Sequence, residues 1–190
     1  MTKGRLFIVS GPSGVGKDTV VGEVLKRLPD AFLSVSYTTR EPRGREKEGV
    51  DYFYITREQF EREVAAGNML EYCDYVSAMY GTPRPPVEQA LSEGKPVFLV
   101  IERVGMEKVK QVYPDAVTVF LAPPSMDALT ERLTGRKSDS PEKIRKRLAE
   151  AKNELSHQDE YKHVVVNDDL DRTVEEILHI VKQSMKKFLR

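Results

Sequence analysis

Near the start of the chain, Gly11-Pro12-Ser13-Gly14-Val15-Gly16-Lys17-Asp18-Thr19 combines spaced glycines with a lysine. Those residue types at that spacing suit one task, the holding of a phosphate chain. The glycines let successive backbone N–H groups turn inward on an anion, and a helix starting at the loop's end adds its positive dipole end. Lys17 then reaches the terminal phosphates. The stretch matches the phosphate-loop pattern G-x-x-x-x-G-K-[ST] except at its last place, where Asp18 stands for a hydroxyl residue. The alternative is a glycine turn that merely caps a helix, and the flanks speak against it. Leu6-Phe7-Ile8-Val9 before the loop is an apolar run, and Val20, Val21, Val24, Leu25 and Leu28 after it recur at helical spacing. Strand, glycine loop and helix in that order predict a site for a nucleoside triphosphate.

Two further groups of cations bear on the same chemistry. Thr38 to Val50 is polar, contains a proline and two glycines, and reads as an exposed loop carrying Arg40, Arg43 and Arg45. The planar arginine fork suits a phosphate through paired charge-assisted hydrogen bonds, so a second anion site is expected here. The other group is Arg132, Arg136, Lys137, Lys143, Arg145, Lys146 and Arg147. Such runs are usually solvated helix faces. A hinged basic flap facing a phosphate loop, however, is what phosphoryl transfer needs to exclude water and neutralise the moving group.

The elements that must position these groups follow from periodicity and caps. Phe32 to Tyr37 reads as a strand, and Thr56-Arg57-Glu58-Gln59 has capping-box spacing for a short helix ending at Gly67. Met69 to Val76 reads as a strand, Tyr80-Gly81-Thr82 as a turn, and Pro86 to Ser92 as a helix. Pro96 to Ile101 and Ala116 to Leu121 are continuous apolar runs of the kind found in buried parallel strands. Glu102, just past the first, lies where open α/β sheets bind ligands. A helix is expected over Val104 to Val112. Ser125 caps a helix through Leu133, Ser140 caps another with Pro141 in its first turn, and His163 to Val166 is a last strand. The final helix turns Val174, Ile177, Leu178, Val181 and Met185 inward. Five alternations of strand and helix predict a parallel sheet covered on both faces.

Composition bounds the rest. The chain has 190 residues, one core domain's worth with room for small inserted lobes. Lys plus Arg and Asp plus Glu are 30 each, so no overall field exists to hold nucleic acid or an anionic membrane, and anion binding must be local. No apolar run is long enough for a membrane span, and Met1 to Arg5 leads into the first strand rather than a secretory segment, so a cytoplasmic address is expected. Cys73 alone makes neither an internal disulfide nor a cysteine-rich metal site. Nothing in the sequence fixes an oligomeric state.

Beyond the loop, Ser36-Tyr37-Thr38-Thr39-Arg40-Glu41-Pro42-Arg43, Gly49-Val50-Asp51-Tyr52, Leu70-Glu71, Tyr80-Gly81-Thr82 and Val165-Val166-Asn167-Asp168-Asp169-Leu170-Asp171 closely resemble the guanylate kinase family over almost the whole chain. The resemblance implies an α/β phosphate-loop fold of three layers with a five-stranded parallel sheet: a core of 1–33, 85–124 and 157–190, an inserted GMP-binding lobe of 34–84, and a helical lid of 125–156. It implies GMP and ATP as substrates and Mg²⁺ as cofactor. The loop residues Gly11 to Thr19 and Asn167 would serve ATP. Arg40, Arg43, Tyr52 and Tyr80 would hold the GMP phosphate; Ser36, Glu71, Thr82 and Glu102 would read its base. Lys17, Arg132, Arg136 and Arg147 would clamp the transferring group. The chemistry agrees: guanine offers a ring N–H and an amino group on one edge, which carboxylates accept, and adenine lacks that donor pair. The acceptor phosphate is already ionised, so no base is needed and the three histidines are read as structural or surface.

The chain departs from the family's pattern in two places of one small region. Asp18 follows the loop lysine, and Val100-Ile101-Glu102 stands where Asp-Ile-Asp is usual. Either Asp18 replaces the lost carboxylate as a hard oxygen ligand for magnesium, or it is an exposed residue favoured by the helix dipole. Milder departures are Lys137 for a lid glycine and Ser77-Ala78-Met79 for Gly-Asn-Tyr. Ribose bisphosphate kinases resemble this chain in carrying Asp after the loop lysine but lack the full guanine-reading set. Scaffold modules related to the family lose the loop lysine and lid arginines, which this chain keeps.

Overall fold

A computed structural model describes residues 4–44, 46–75, 78–135 and 140–186. Met1, Arg45, Val76, Ser77, Arg136 and Lys137, named above, lie outside the described residues. The core sheet is parallel and five-stranded. Its strands are β1 (Arg5–Ser10), β2 (Phe32–Leu33), β7 (Pro96–Val100), β8 (Val117–Ala122) and β9 (His163–Val166), in the spatial order β2-β7-β1-β8-β9. Alternation along β1 builds two cores. Phe7 and Val9 face one side and pack with Val20, Val21 and Val24 of α1 (Lys17–Arg27) and Ile177, Leu178 and Val181 of α7 (Leu170–Lys186). Leu6 and Ile8 face the other and pack with Val87 of α3 (Arg84–Ser92) and Met106 and Val109 of α4 (Arg103–Val112). Helix, sheet, helix are the three layers expected. The inward stripe read from the final helix is where the sequence put it.

A second sheet, ordered β4-β3-β6-β5, joins β3 (Tyr37–Thr38), β4 (Phe53–Tyr54), β5 (Met69–Tyr75) and β6 (Ala78–Pro83). Two expectations are corrected here. The single strand over Phe32 to Tyr37 is two short ones, because Phe32 and Leu33 pair with β7 of the core while Tyr37 and Thr38 pair with β4 and β6. Tyr80-Gly81-Thr82 is not a turn but the middle of β6, antiparallel to β5, where its backbone groups find ladder partners on both sides.

One face of this sheet carries Tyr37, Phe53, Tyr72 and Gly81; Tyr37, Tyr72 and Gly81 pack with Phe60 of α2 (Arg57–Ala65) in a small core with Met69 and Met79, and Phe53 meets Tyr37 edge-on. The helix starts where its capping box predicted, Thr56 accepting from the Gln59 N–H and Gln59 from the Thr56 N–H. Period two therefore sends Glu71, Cys73, Tyr80, Thr82 and Tyr54 to the opposite face. Beyond β8, α5 (Met126–Thr134) and α6 (Pro141–Leu155) pack on each other through Leu129, Leu133 and Ala151. Both open on the serine caps read from the sequence, Ser125 and Ser140.

Candidate active site

The phosphate loop leaves the C-terminal end of β1 in a conformation that its glycines permit. Gly14 and Gly16 have φ of 88° and 101°, and a Cβ on either would come within 2.7 Å of Leu133 Cδ2 or 2.9 Å of Asn167 Nδ2. Gly16 is also the N-cap of α1 and offers no side-chain acceptor, so the helix's first N–H groups are left for an anion. Lys17 folds back on the loop, its Nζ donating to the carbonyls of Gly11 (2.5 Å) and Pro12 (3.3 Å). Burial pulls its pKa down, while the carboxylates of Glu154, Asp18 and Glu102 oppose that shift. Asp18 and Thr19 are exposed in the first turn of α1.

Neighbouring elements brace the loop. Arg132 of α5 donates to the carbonyls of Val15 (3.2 Å) and Asn167 (2.8 Å), and the buried Asn167 amide donates to Val15 as well (2.8 Å). Arg147 of α6 reaches the loop directly, its Nη2 donating to Ser13 Oγ at 2.6 Å. Arg147, Ala151 and Glu154 share one face of α6, and Glu154 is the carboxylate that most opposes the fall in the Lys17 pKa.

Across the cleft, Arg40 is fixed from several sides. Its two terminal nitrogens form a bidentate pair with Glu46, both at 2.7 Å, and its Nε donates to the Tyr80 hydroxyl at 3.1 Å. The guanidinium lies 4.9 Å from the Tyr52 ring centre, and Tyr52 meets Tyr80 edge-on at 5.8 Å. Glu46 also accepts from the Tyr54 hydroxyl (2.9 Å) and the Arg43 N–H (2.8 Å), and these donors, with Arg40 foremost, hold its carboxyl down at about 2. The Arg43 side chain is exposed. Ser36 is half-buried at the sheet's edge, its carbonyl accepting from the Phe53 N–H at 2.9 Å.

Glu71 and Thr82 are cross-strand partners, and the Thr82 hydroxyl donates to Glu71 Oε1 at 2.6 Å in a buried setting. Burial pushes the Glu71 carboxyl upward; Thr82 and the Lys108 ammonium of α4 work against that shift. Asp18 acts on both Lys17 and Tyr52, and Glu102 acts on both Lys17 and Glu71. Direct contacts bring the loop together with Arg132, Arg147 and Asn167, Arg40 together with Tyr52 and Tyr80, and Glu71 together with Thr82. Sequence reading missed Glu46, Glu154 and Lys108. No spacing pattern marks a carboxylate as an arginine's anchor or a lysine's neighbour; only a run of arginines ending in Glu46 hinted at the first.

A parallel α/β sheet with a phosphate loop at its C-terminal edge, facing a second anion cradle and a buried carboxylate, defines an ATP-dependent nucleoside monophosphate kinase. The family model described as "Guanylate kinase" matches residues 3–184. A guanylate kinase of Synechococcus sp. (strain CC9902) is 50% identical over 174 residues, 92% of this chain and 93% of that one. A guanylate kinase of Corynebacterium jeikeium (strain K411) is 47% identical over 184 residues, covering 96% and 98%. The crystal structure of guanylate kinase from Anaplasma phagocytophilum superposes with a TM-score of 0.80 at 31% identity, over 97% of this chain and 87% of that one. The chain belongs to the guanylate kinase family.

Proposed function

We propose that this chain transfers the terminal phosphoryl group of ATP to GMP, giving ADP and GDP, in the cytoplasm. The observation that carries this reading is the shared face of β5 and β6, with Glu71 and Thr82 at one end and Tyr80 with Arg40 at the other. A buried carboxylate suits the paired N–H donors of guanine, and the arginine with its tyrosines suits the monophosphate. Residues 34–84 would form the GMP lobe, 125–156 the lid, and the remainder the core. Lid and lobe would close about Pro123-Pro124 and the edges of the lobe.

Catalysis then rests on alignment and spread positive charge. The loop N–H groups and the first turn of α1 hold the donor phosphates, Lys17 leaves its carbonyl partners for the terminal phosphates, and Arg147 and Arg132 steady the loop from the lid side. Arg136 would add a further lid cation. Arg40, Arg43, Tyr52 and Tyr80 aim the acceptor oxygen. Asp18, exposed in the first turn of α1 beside Lys17, offers a hard carboxylate oxygen that fits a Mg²⁺ held by one carboxylate with the phosphates. The metal would supply charge neutralisation between the two phosphate groups.

A coupled ADP-release assay with Mg-ATP against GMP, dGMP, AMP, UMP and ribose 1,5-bisphosphate tests the reading. Turnover confined to guanine nucleotides is expected. Turnover with the sugar bisphosphate alone, or GMP binding without turnover, would overturn it.

A further inference from the structure

Gly105 lies buried in the first turn of α4 and is absent from the residues with positive φ, so no turn requires a glycine there. Helix propensity also disfavours it, since glycine is the poorest helix former after proline. Space accounts for it. A Cβ at this position would come within 2.9 Å of Glu71 Oε2, 3.1 Å of Glu71 Cδ and 3.4 Å of Ile101 Cδ1. Glu71 has little room to yield, because its other oxygen is held by Thr82 at 2.6 Å and the pair sits in the β5–β6 register. Lys108, one turn further along α4, is pinned by donating to the Tyr72 carbonyl at 2.5 Å. The Thr82 hydroxyl thus holds one carboxylate oxygen while the other lies close against the bare Cα of Gly105.

We propose that Gly105 is a specificity-determining position, whose missing side chain seats the Glu71 carboxylate against α4 so that its remaining lone pairs meet the guanine edge. The inference rests on Glu71 being the base reader. A carboxylate has about four lone-pair sites, and those not taken by Thr82 serve the base only if its plane is fixed. A methyl group at 105 turns that plane while leaving the phosphate loop, the Arg40 cradle and the lid untouched.

The test is steady-state kinetics of Gly105→Ala with GMP and with inosine monophosphate, which lacks the 2-amino group, together with thermal unfolding. KM for GMP should rise about tenfold and the preference for GMP over inosine monophosphate should fall, with kcat and the KM for ATP within about twofold. The melting temperature should fall by no more than a few degrees, because the gain in helix propensity partly offsets the crowding of the added methyl. Wild-type KM for GMP, or an equal loss on the ATP side, would overturn the inference. The double variant Glu71→Asp with Gly105→Ala is read alongside, because a carboxylate shorter by one methylene clears the added methyl. Its KM for GMP should match that of Glu71→Asp alone; a further rise by the full single-variant factor, or failure to fold, would overturn the inference too. Glu71→Gln separates the two levels: if it leaves the KM for GMP and the base preference unchanged, the guanine reading itself fails, whatever Gly105 does.

Discussion

The phosphate loop and the cleft face of the second sheet both present groups suited to phosphate, by opposite means. The loop is nine consecutive residues whose work is done by backbone, through positive φ at its glycines and uncapped N–H groups at the start of α1. The second sheet uses side chains drawn from 40 to 82, aligned by strand register and fixed by partners such as Glu46 and Thr82. A contiguous backbone device tolerates change in most of its side chains. A register device depends on each one and on the partners that orient it.

The largest effect should come from the one side chain of the loop that backbone cannot replace. Lys17→Ala is expected to lower kcat by about a thousandfold or more, with the KM for GMP little changed, measured by the same ADP-release assay. A comparable rise in the KM for GMP would blur the division between the two regions.

An intermediate effect should come from Glu46, the anchor of Arg40. Its folded carboxyl is depressed from the ordinary 4.5 to about 2, so its contribution to stability is full above pH 4.5 and is lost as pH falls toward 2. Glu71 has the opposite sign: its carboxyl is raised by burial, so its protonation favours the fold at low pH and its charge is a cost as pH rises. Glu46→Gln should therefore flatten the acid limb of a stability profile between pH 4.5 and 2.5 and raise the KM for GMP by about tenfold at neutral pH through a loosened Arg40. An unchanged acid limb would mean that the Arg40 pair carries no stability.

The smallest effect should be that of Asp18, an exposed residue on a backbone device. Asp18→Ser restores the hydroxyl usual after a loop lysine, so activity should stay within about tenfold while the magnesium concentration for half-maximal rate shifts. No change in magnesium dependence would leave Asp18 as an exposed residue at a helix start.

The same contrast governs what the sequence made legible. The loop, the capped starts of α2, α5 and α6, the inward stripe of α7 and the apolar strands were readable because each is a local pattern set by backbone sterics or period. Tyr80-Gly81-Thr82 was misread as a turn because glycine beside polar residues suggests one locally. Only pairing with β5 and β3 makes it a strand, with Phe60 filling the space above Gly81. The split at Ser34 to Ser36 was invisible for a similar reason, since two sheets compete for one short run. Site residues carried by family motifs surfaced through resemblance. Their partners did not: Glu46, Glu154 and Gly105 matter for what they touch, and touching is fixed by register and by helix packing rather than by spacing.

Glu102, at the end of β7, acts on the loop lysine and on the base-facing glutamate alike. A charge shared by two ligand sites would link their occupancies thermodynamically. A ligand that altered the potential around Glu102 from one side would then change the free energy of occupancy on the other, and by the same factor in reverse. The departures at Asp18 and Val100 sit in this same region, so they would also alter how strongly donor and acceptor sense each other before any bond is made or broken.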